Sequence, residues 1–356
     1  MQNDLYCELK EYLDQNNYRL RLPIFKRQLE LMPDLKIKYS EKQMGYCLRD
    51  IGFNLSYLAQ AIKLESPNLF FSYSKWLLIL MQNLRIPIAS VIANFKAMKQ
   101  LLHEETQAKY HHIIDFYLEL GIEALNKDYD EVSGMIDPTN IYSQYAEKFI
   151  NYVLNGEKAK ASEMILGLVS EGVSVKNIYL DILQPVQYEI GHLWQTNKIS
   201  IAQEHYATSV TQLVISQMYP FLFNGSPKDR VLLTSCVSGE LHEIGLRMLS
   251  DIFELEGWST WYLGANLPDE SVIEMIKDKK PDIIALSATV MFFLEKLEKL
   301  ILKIKESGIE APIMVGGYPF IQDKMLWKKV GADGWAIDPE RALKVADKLL
   351  LKKGNM

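Results

Sequence analysis

Cysteine is scarce in this chain, and its distribution argues against two kinds of site. The 356 residues include only three cysteines, Cys7, Cys47 and Cys236, which are scattered along the sequence. Disulfide frameworks and zinc-cysteine sites require cysteines at recurring, paired spacings. The sequence therefore favours a reduced intracellular setting, and we expect a cytoplasmic protein.

Long apolar runs and basic blocks are also lacking. The longest apolar stretch, from Leu69 to Met81, is interrupted by Lys75 and is too short to span a bilayer. The amino-terminal residues show no basic-then-apolar signal pattern. The net charge is −6, and no long run of Lys and Arg provides a surface for nucleic acid. We therefore expect neither membrane insertion nor direct binding of nucleic acid.

The spacing of apolar residues divides the chain into three parts and predicts a multidomain fold. Residues 1–130 follow the helical period throughout and predict an all-α domain. After an acidic linker, residues 141–224 predict a four-helix bundle, whose last helix opens with a capping box of Ser200 and Gln203. Residues 228–356 follow a different pattern and form a third predicted domain.

The third part alternates short apolar runs with amphipathic segments about 10–15 residues long. Such alternation predicts βαβ units and a parallel, doubly wound sheet of the Rossmann-like or flavodoxin-like kind. The predicted strands are VLLTSC, TWYLG, DIIALS, PIMVG and GWAI. In such folds ligands bind beyond the carboxyl ends of the strands, which is where candidate site residues are expected.

The loop after the first predicted strand contains Glu240, His242 and Gly245. This places an imidazole at the carboxyl edge of the sheet. Glu240 can accept a hydrogen bond from the ring nitrogen that does not face a ligand, the usual arrangement around a metal-bound histidine. Gly245 lets a large group approach the backbone. By itself this pattern is weak, because a single loop histidine is more often solvated than ligating.

Small polar residues and glycines follow two further strands. Ser287 and Thr289 end the third predicted strand, and Gly316 and Gly317 end the fourth. Together they predict an open slot that runs into the sheet and suits an extended ligand tail.

These motifs resemble the cobalamin-binding Rossmann-like domain, whose signature is Asp-x-His-x-x-Gly, then Ser-x-Thr or Ser-x-Leu, then Gly-Gly. In this chain 41 residues separate Gly245 from Ser287, and 26 separate Thr289 from Gly316, as expected for that family. The resemblance implies a base-off corrinoid whose displaced nucleotide tail fills the slot.

The same resemblance assigns individual residues. It makes His242 the cobalt ligand that replaces dimethylbenzimidazole below the corrin. Glu240 stands where the family has Asp, so the extra methylene is expected to alter the hydrogen bond to His242. Leu241 and Tyr318 complete the candidate cofactor-binding set in this domain.

The helical block ahead of the sheet resembles the cap that covers the upper corrin face in adenosylcobalamin-dependent light sensors and in methyl-transfer corrinoid proteins. Trp194 is followed ten residues later by Glu204 and then by His205, a spacing that marks the light-sensor branch. We expect Trp194 to cover adenosylcobalamin, and Glu204 and His205 to bond ribose hydroxyls or corrin amides. A core Trp and a solvated Glu-His pair remain the alternatives. The light-responsive repressors have a His after the Trp, whereas this chain has Gln195.

The first domain resembles, more loosely, the globin-like photoglobin domain of the photocobilin group, which binds biliverdin. The matching residues are Tyr73, Trp76, Leu77, Leu80, Arg85 and Pro87. The resemblance implies non-covalent bilin binding with Arg85 on a propionate. An ordinary aromatic core is an equally strong interpretation. Haem is a further alternative, since His103, His111 and His112 lie on predicted helices.

The leading functional hypothesis is a cobalamin-dependent light sensor without enzymatic activity, acting through an unidentified signalling protein or through self-association as a homo-oligomer. The alternative is a corrinoid carrier that shuttles methyl groups between methyltransferases. That alternative needs an open upper face, which the predicted lid Trp194 opposes. Adenosylcobalamin radical catalysis is a third class, and the sequence shows no substrate barrel for it.

Overall fold

The computed structural model describes two compact units, which are treated separately below. The described residues are 2–35, 39–129, 134–222 and 226–354. The first unit contains residues 1–129, 290–298 and 318–331, and the second contains 130–289, 299–317 and 332–356. The predicted division into three domains stays a prediction.

The described part of residues 1–129 contains five α-helices. They are α1 Gln2–Leu31, α2 Glu41–Lys63, α3 Pro67–Asn83, α4 Ile88–Glu105 and α5 His111–Asn126. Helix α2 begins with a capping box in which Ser40 and Gln43 satisfy each other's backbone amides. The helical amino-terminal region is confirmed, whereas a globin-like arrangement is not.

Ser66 directly precedes α3, but its side chain does not cap the helix. The helix begins at Pro67, and the Ser66 side chain makes no capping hydrogen bond. Its hydroxyl instead donates to Asp323 Oδ2 at 2.6 Å, within the same unit. A long-range carboxylate acceptor has replaced the local backbone partner.

A ladder of buried polar side chains links four helices of the first unit. Tyr73 donates to Asn54 at 2.6 Å, Asn54 to Asn94 at 2.9 Å, and Asn94 to Gln28 at 2.9 Å. Gln28 then donates to the carbonyl of Ser90 at 2.8 Å. Because buried amides are costly unless they are paired, this ladder fixes the register of α1, α2, α3 and α4.

The second unit begins with the helices of the predicted bundle. They are α6 Ser143–Leu154, α7 Lys158–Ser170, α8 Gln184–Gln195 and α9 Ile201–Gln217. A helical turn at Val175–Asn177 and a π-helical segment at Ile178–Leu183 lead into α8. The predicted capping box of Ser200 and Gln203 is present at the start of α9.

The remaining elements form the predicted parallel sheet. The strands are β1 Val231–Cys236, β2 Ser259–Tyr262, β3 Ile283–Ser287, β4 Ile313–Gly316 and β5 Gly334–Trp335. They are all paired in parallel in the order β2-β1-β3-β4-β5. The intervening and terminal helices are α10 Ile244–Leu255, α11 Asp269–Lys279, α12 Leu294–Glu306, α13 Tyr318–Gln322, α14 Leu326–Lys329 and α15 Pro339–Gly354. The strand order is that of flavodoxin-like folds and confirms the Rossmann-like prediction.

The bundle and the sheet share a core within the second unit. Ile244, Met248 and Ile252 of α10 belong to the same cluster of buried side chains as residues of α6 to α9. The hydroxyl of the buried Tyr179 donates to Asp251 Oδ2 at 2.7 Å. Burial raises the pKa of Asp251 more than this hydrogen bond lowers it. The helix that follows the His242 loop therefore also supports the bundle.

None of the helices in the described ranges is long and apolar enough to cross a membrane.

The contact between Tyr179 and Asp251 predicts a measurable loss of stability. Tyr179→Phe removes the donor and leaves the carboxyl of Asp251 without it, so the free energy of unfolding should fall by about 1–3 kcal/mol. Urea denaturation of the whole chain measures this. Tyr152→Phe is the matched control, since the described residues include no partner for the Tyr152 hydroxyl and its ring is only partly buried. Equal midpoints for the two variants would contradict the assignment.

Candidate cofactor-binding site

His242 lies in the loop between β1 and α10, and a buried carboxylate orients its ring. Nδ1 of His242 is 2.5 Å from Oε1 of Glu240. The Glu240 side chain is 0% exposed, whereas the His242 side chain is 60% exposed. The predicted hydrogen bond is therefore present. Because Nδ1 faces the carboxylate, Nε2 is the ring nitrogen left for a ligand.

Glu240 is held by backbone amides as well as by the imidazole. Oε1 accepts from the amides of Leu241 at 2.9 Å and His242 at 3.0 Å. Oε2 accepts from the amide of Thr289 at 2.8 Å. One carboxylate thus joins the loop after β1 to the end of β3. The longer side chain of Glu, expected to disturb the bond to His242, instead spans both partners.

The electrostatics of this pair follow from its geometry. Burial alone would raise the pKa of Glu240, but the hydrogen bonds from His242 and the backbone outweigh it and lower that pKa to about 2. The hydrogen bond to Glu240 raises the pKa of His242, and burial opposes this rise. Glu240 is therefore ionised at neutral pH, which makes the imidazole a stronger base and a better ligand for a metal.

The glycines at the strand ends have different roles, which corrects the prediction that both open the slot. Gly317 has φ +120°, and a Cβ there would lie 2.1 Å from the carbonyl oxygen of Ala288. It is therefore required for close approach of two backbones. At Gly316 a Cβ would meet nothing closer than the Ala336 oxygen at 3.7 Å, and at Gly245 nothing within 4 Å. Gly316 and Gly245 are the two that leave room.

The polar and apolar residues around these glycines complete the candidate set. Ser287 pairs in register with Gly316 and is buried. Leu241 is 70% exposed, and Tyr318, in the first unit, is 55% exposed. One orientated imidazole and open space at two glycines fit a corrinoid.

The bundle places its candidate residues at two helix ends. Trp194 lies in the last turn of α8, is partly buried and packs against the bundle core. Glu204 and the exposed His205 lie in the first turn of α9 and hydrogen-bond to each other. Thr208 donates to Glu204 at 3.1 Å. The charge of Glu204 also contributes to the raised pKa of His242, so these two side chains lie within electrostatic range.

Two polar residues close to Trp194 on α8 are turned away from solvent. His192 and Gln195 are both buried on α8. Their burial places them in the bundle interior, on a different side of the helix from the exposed surface. Because His192 is buried, it does not provide an exposed imidazole in place of the His that this chain lacks at position 195.

Sequence reasoning missed a polar contact that ties α9 to the His242 loop. Gln212 donates to Glu243 Oε1 at 2.9 Å, and the Tyr262 hydroxyl donates to Glu243 Oε2 at 2.8 Å. The only signal in the sequence was the position of Glu243 directly after His242. The contact sets the distance between the first turn of α10 and the bundle.

The aromatic residues proposed to bind a bilin lie mainly in the core of the first unit. Tyr73 is buried, stacks on Tyr57 with ring centroids 3.7 Å apart, and donates to Asn54. Leu77 is also buried. Arg85 is exposed in the turn after α3, with φ +56°. Core packing thus accounts for Tyr73 and Leu77, whereas Trp76 and Leu80 are only partly buried.

Two of the three histidines considered for haem, His103 and His111, have protein partners. His103 Nε2 lies 2.7 Å from Asp115 Oδ1, and the His103 ring stacks on His111 at 4.0 Å. His111 Nε2 lies 3.2 Å from the carbonyl oxygen of Thr106. These contacts explain the two side chains without a haem.

Two family models match the bundle and the region of the parallel sheet, and both are described as a B12 binding domain. One covers residues 145–218 and the other residues 230–344. This chain contains a cobalamin-binding module. The module consists of the helical bundle and the parallel sheet, with Glu240 and His242 in the loop after the first strand of the sheet. Neither model reaches residues 1–144.

Curated relatives agree with this assignment. Dimethylamine corrinoid protein 1 of Methanosarcina acetivorans is 26% identical over 167 residues, which are 46% of this chain and 77% of that protein. A corrinoid protein of Desulfitobacterium hafniense is 23% identical over 209 residues, which are 56% of this chain and 94% of that protein. A cobalamin or related corrinoid is therefore the cofactor.

A solved structure shares the fold of the module. The monomethylamine corrinoid protein of Methanosarcina barkeri superposes with a TM-score of 0.52 at 22% identity, covering 58% of this chain and 98% of that chain. The names of these relatives refer to corrinoid proteins and give no support to a photoreceptor, a bilin or the adenosyl form.

The charge on Glu240 can be tested by a nearly isosteric change. Glu240→Gln keeps an acceptor for the ring but removes the negative charge, so corrinoid affinity should fall by about 10–100-fold. Titration of the apoprotein with hydroxocobalamin, followed by absorption, measures this. Glu243→Gln in the same loop is the control and should change affinity much less. An affinity for Glu240→Gln equal to that of the wild type would show that the charge does not act on the ligand.

Proposed function

We propose that this chain is a corrinoid carrier that takes part in methyl transfer with a separate methyltransferase. The observation that supports this most directly is the exposed His242 held by the buried Glu240, within a module shared with proteins named as dimethylamine and monomethylamine corrinoid proteins. The chain itself is proposed to be non-catalytic, with chemistry completed only in complex with its partner.

The residues of the module would have separate tasks. A bound corrinoid supplies a cobalt centre that can accept and release a one-carbon group. His242 would hold the cobalt through Nε2, while Glu240 accepts a hydrogen bond from Nδ1 and fixes the ring. Gly316 and Gly245 would give room to the cofactor, because a side chain at either position would project into that open space.

Trp194 was expected to argue against a carrier by closing the upper face. In the structure its ring packs partly into the bundle core, so at least part of its surface serves the helix packing. The role of Trp194 as a lid stays a prediction, and the carrier proposal rests on the module and its relatives.

The light-sensor hypothesis remains the second candidate. It is supported by the spacing of Trp194, Glu204 and His205, and by the closeness of Glu204 to His242. Adenosylcobalamin as the native form, biliverdin in the first unit, self-association and a signalling partner are parts of this candidate. The core positions of Tyr73 and Leu77 make the bilin its weakest part.

Replacement of His242 tests the assignment on which both candidates depend. His242→Ala should abolish the nitrogen superhyperfine splitting in the electron paramagnetic resonance spectrum of the bound Co(II) form, because no imidazole then ligates cobalt. His205→Ala, which removes an exposed imidazole elsewhere in the module, should leave the splitting in place. A spectrum of His242→Ala that keeps the splitting would refute the ligand assignment.

Illumination separates the two candidates. A carrier has no use for light, so the adenosylcobalamin-loaded chain should elute from a size-exclusion column at the same volume in darkness and after green light. The hydroxocobalamin-loaded chain controls for heating and cofactor loss. A reproducible change of oligomeric state with light, seen only in the adenosylcobalamin form, would favour the sensor over the carrier.

A further inference from the structure

The segment that follows β3 begins at Thr289, which contacts Glu240, the hydrogen-bond partner of His242. The amide of Thr289 donates to Glu240 Oε2 at 2.8 Å. Nine residues later, in the second turn of α12, the chain reaches Glu298, and Glu295 lies between the two. We call residues 289–298 the connecting segment. The backbone of this segment is continuous with the Thr289 amide.

Helices α1 and α2 hold the far end of the connecting segment. Lys10 Nζ lies 2.8 Å from Glu295 Oε2, and Gln60 Nε2 donates to the same oxygen at 3.3 Å. Lys63 forms an ion pair with Glu298. The Lys10 side chain is largely buried. Buried, hydrogen-bonded ion pairs fix geometry more strongly than surface pairs, and breaking one partner is costly.

Aromatic side chains reinforce the same attachment. Phe292 of the connecting segment packs against Tyr57 of α2, with ring centroids 4.5 Å apart, and against Phe53 at 5.9 Å. Tyr57 in turn stacks on Tyr73, which belongs to the buried polar ladder of the first unit. The connecting segment is therefore attached to the aromatic residues that contact the buried polar ladder.

The segment that follows β4 is also held by hydrogen bonds within the first unit. Ser66 donates to Asp323 at 2.6 Å, and Ser72 donates to Gln322 at 2.6 Å. Lys329 donates to the carbonyl of Glu65 at 3.0 Å. Both segments that lead away from the predicted tail slot, after Thr289 and after Gly317, thus end in contacts with the amino-terminal helices.

We propose that the amino-terminal helices position the axial histidine through the connecting segment, with Glu295 and Glu298 as positioning residues. Displacement of the segment withdraws the Thr289 amide from Glu240, and the carboxylate then loses one of the bonds that hold it against His242. Coupling between binding and conformation is reciprocal, so corrinoid binding should also order α1 and α2. The proposal rests on His242 as cobalt ligand, the proposed function above.

Hydrogen exchange in the apoprotein tests the mechanical part of the proposal without any cofactor. Glu295→Gln removes the charge that Lys10 requires, so the Thr289 amide should exchange about fivefold faster or more. Glu306→Gln is the matched control, being the same substitution at an exposed site near the end of the same helix. Equal Thr289 exchange rates in the two variants would overturn the proposal, provided that circular dichroism shows both to be folded.

Exchange of the two charges of the Lys63–Glu298 ion pair distinguishes loss of this contact from misfolding. Lys63→Glu and Glu298→Lys should each speed Thr289 exchange, and the double variant should restore it because the ion pair is rebuilt in reverse. In the Co(II)-loaded protein, the fraction of cobalt with nitrogen superhyperfine splitting should be lower in each single variant and restored in the double variant. A double variant no slower than the singles would refute the coupling.

The two proposals fail in different ways. Loss of the splitting in His242→Ala, together with unchanged Thr289 exchange in Glu295→Gln, would uphold the cobalt ligand and refute its control by the amino-terminal helices. Splitting that persists in His242→Ala would refute the ligand assignment itself, whatever the exchange rates show.

Discussion

A charged carboxylate buried at the carboxyl edge of the sheet is the constraint on which the site depends. An ionised Glu240 without solvent is tolerable only if donors replace the lost water. The structure supplies the imidazole of His242, two amides of its own loop and the amide of Thr289. Satisfying this one charge therefore fixes the ring, the loop after β1 and the end of β3 relative to one another.

Backbone contacts and core packing hold the elements on both sides of the His242 loop. Gly317 allows the turn after β4 to approach the carbonyl of Ala288, next to the residue that binds Glu240. On the other side of the loop, Ile244 and Met248 enter the shared core with the bundle. The His242 loop is thus flanked by packed elements on both sides, which limits the movement of the ring.

The functional hypotheses depended on resemblances of unequal strength. The cobalamin motif combined three elements at defined spacings, and the structure and the relatives agree with it. The aromatic pattern around Tyr73 had no chemical motif, and its spacing is explained by stacking on Tyr57 and by the buried ladder. Helical periodicity records burial, and burial alone does not distinguish a core from a chromophore pocket.

The sequence by itself determined the helices, the five parallel strands, the capping box at Ser200 and the bond between Glu240 and His242. Each of these depends on period, or on partners a few residues apart, so local spacing suffices. Only the tertiary structure decided that Glu240 also reaches Thr289, that Gly316 and Gly317 have different roles, and that Lys10 meets Glu295. These contacts join residues far apart in the chain, and which segments meet is set by the packing of whole elements, which no local pattern records.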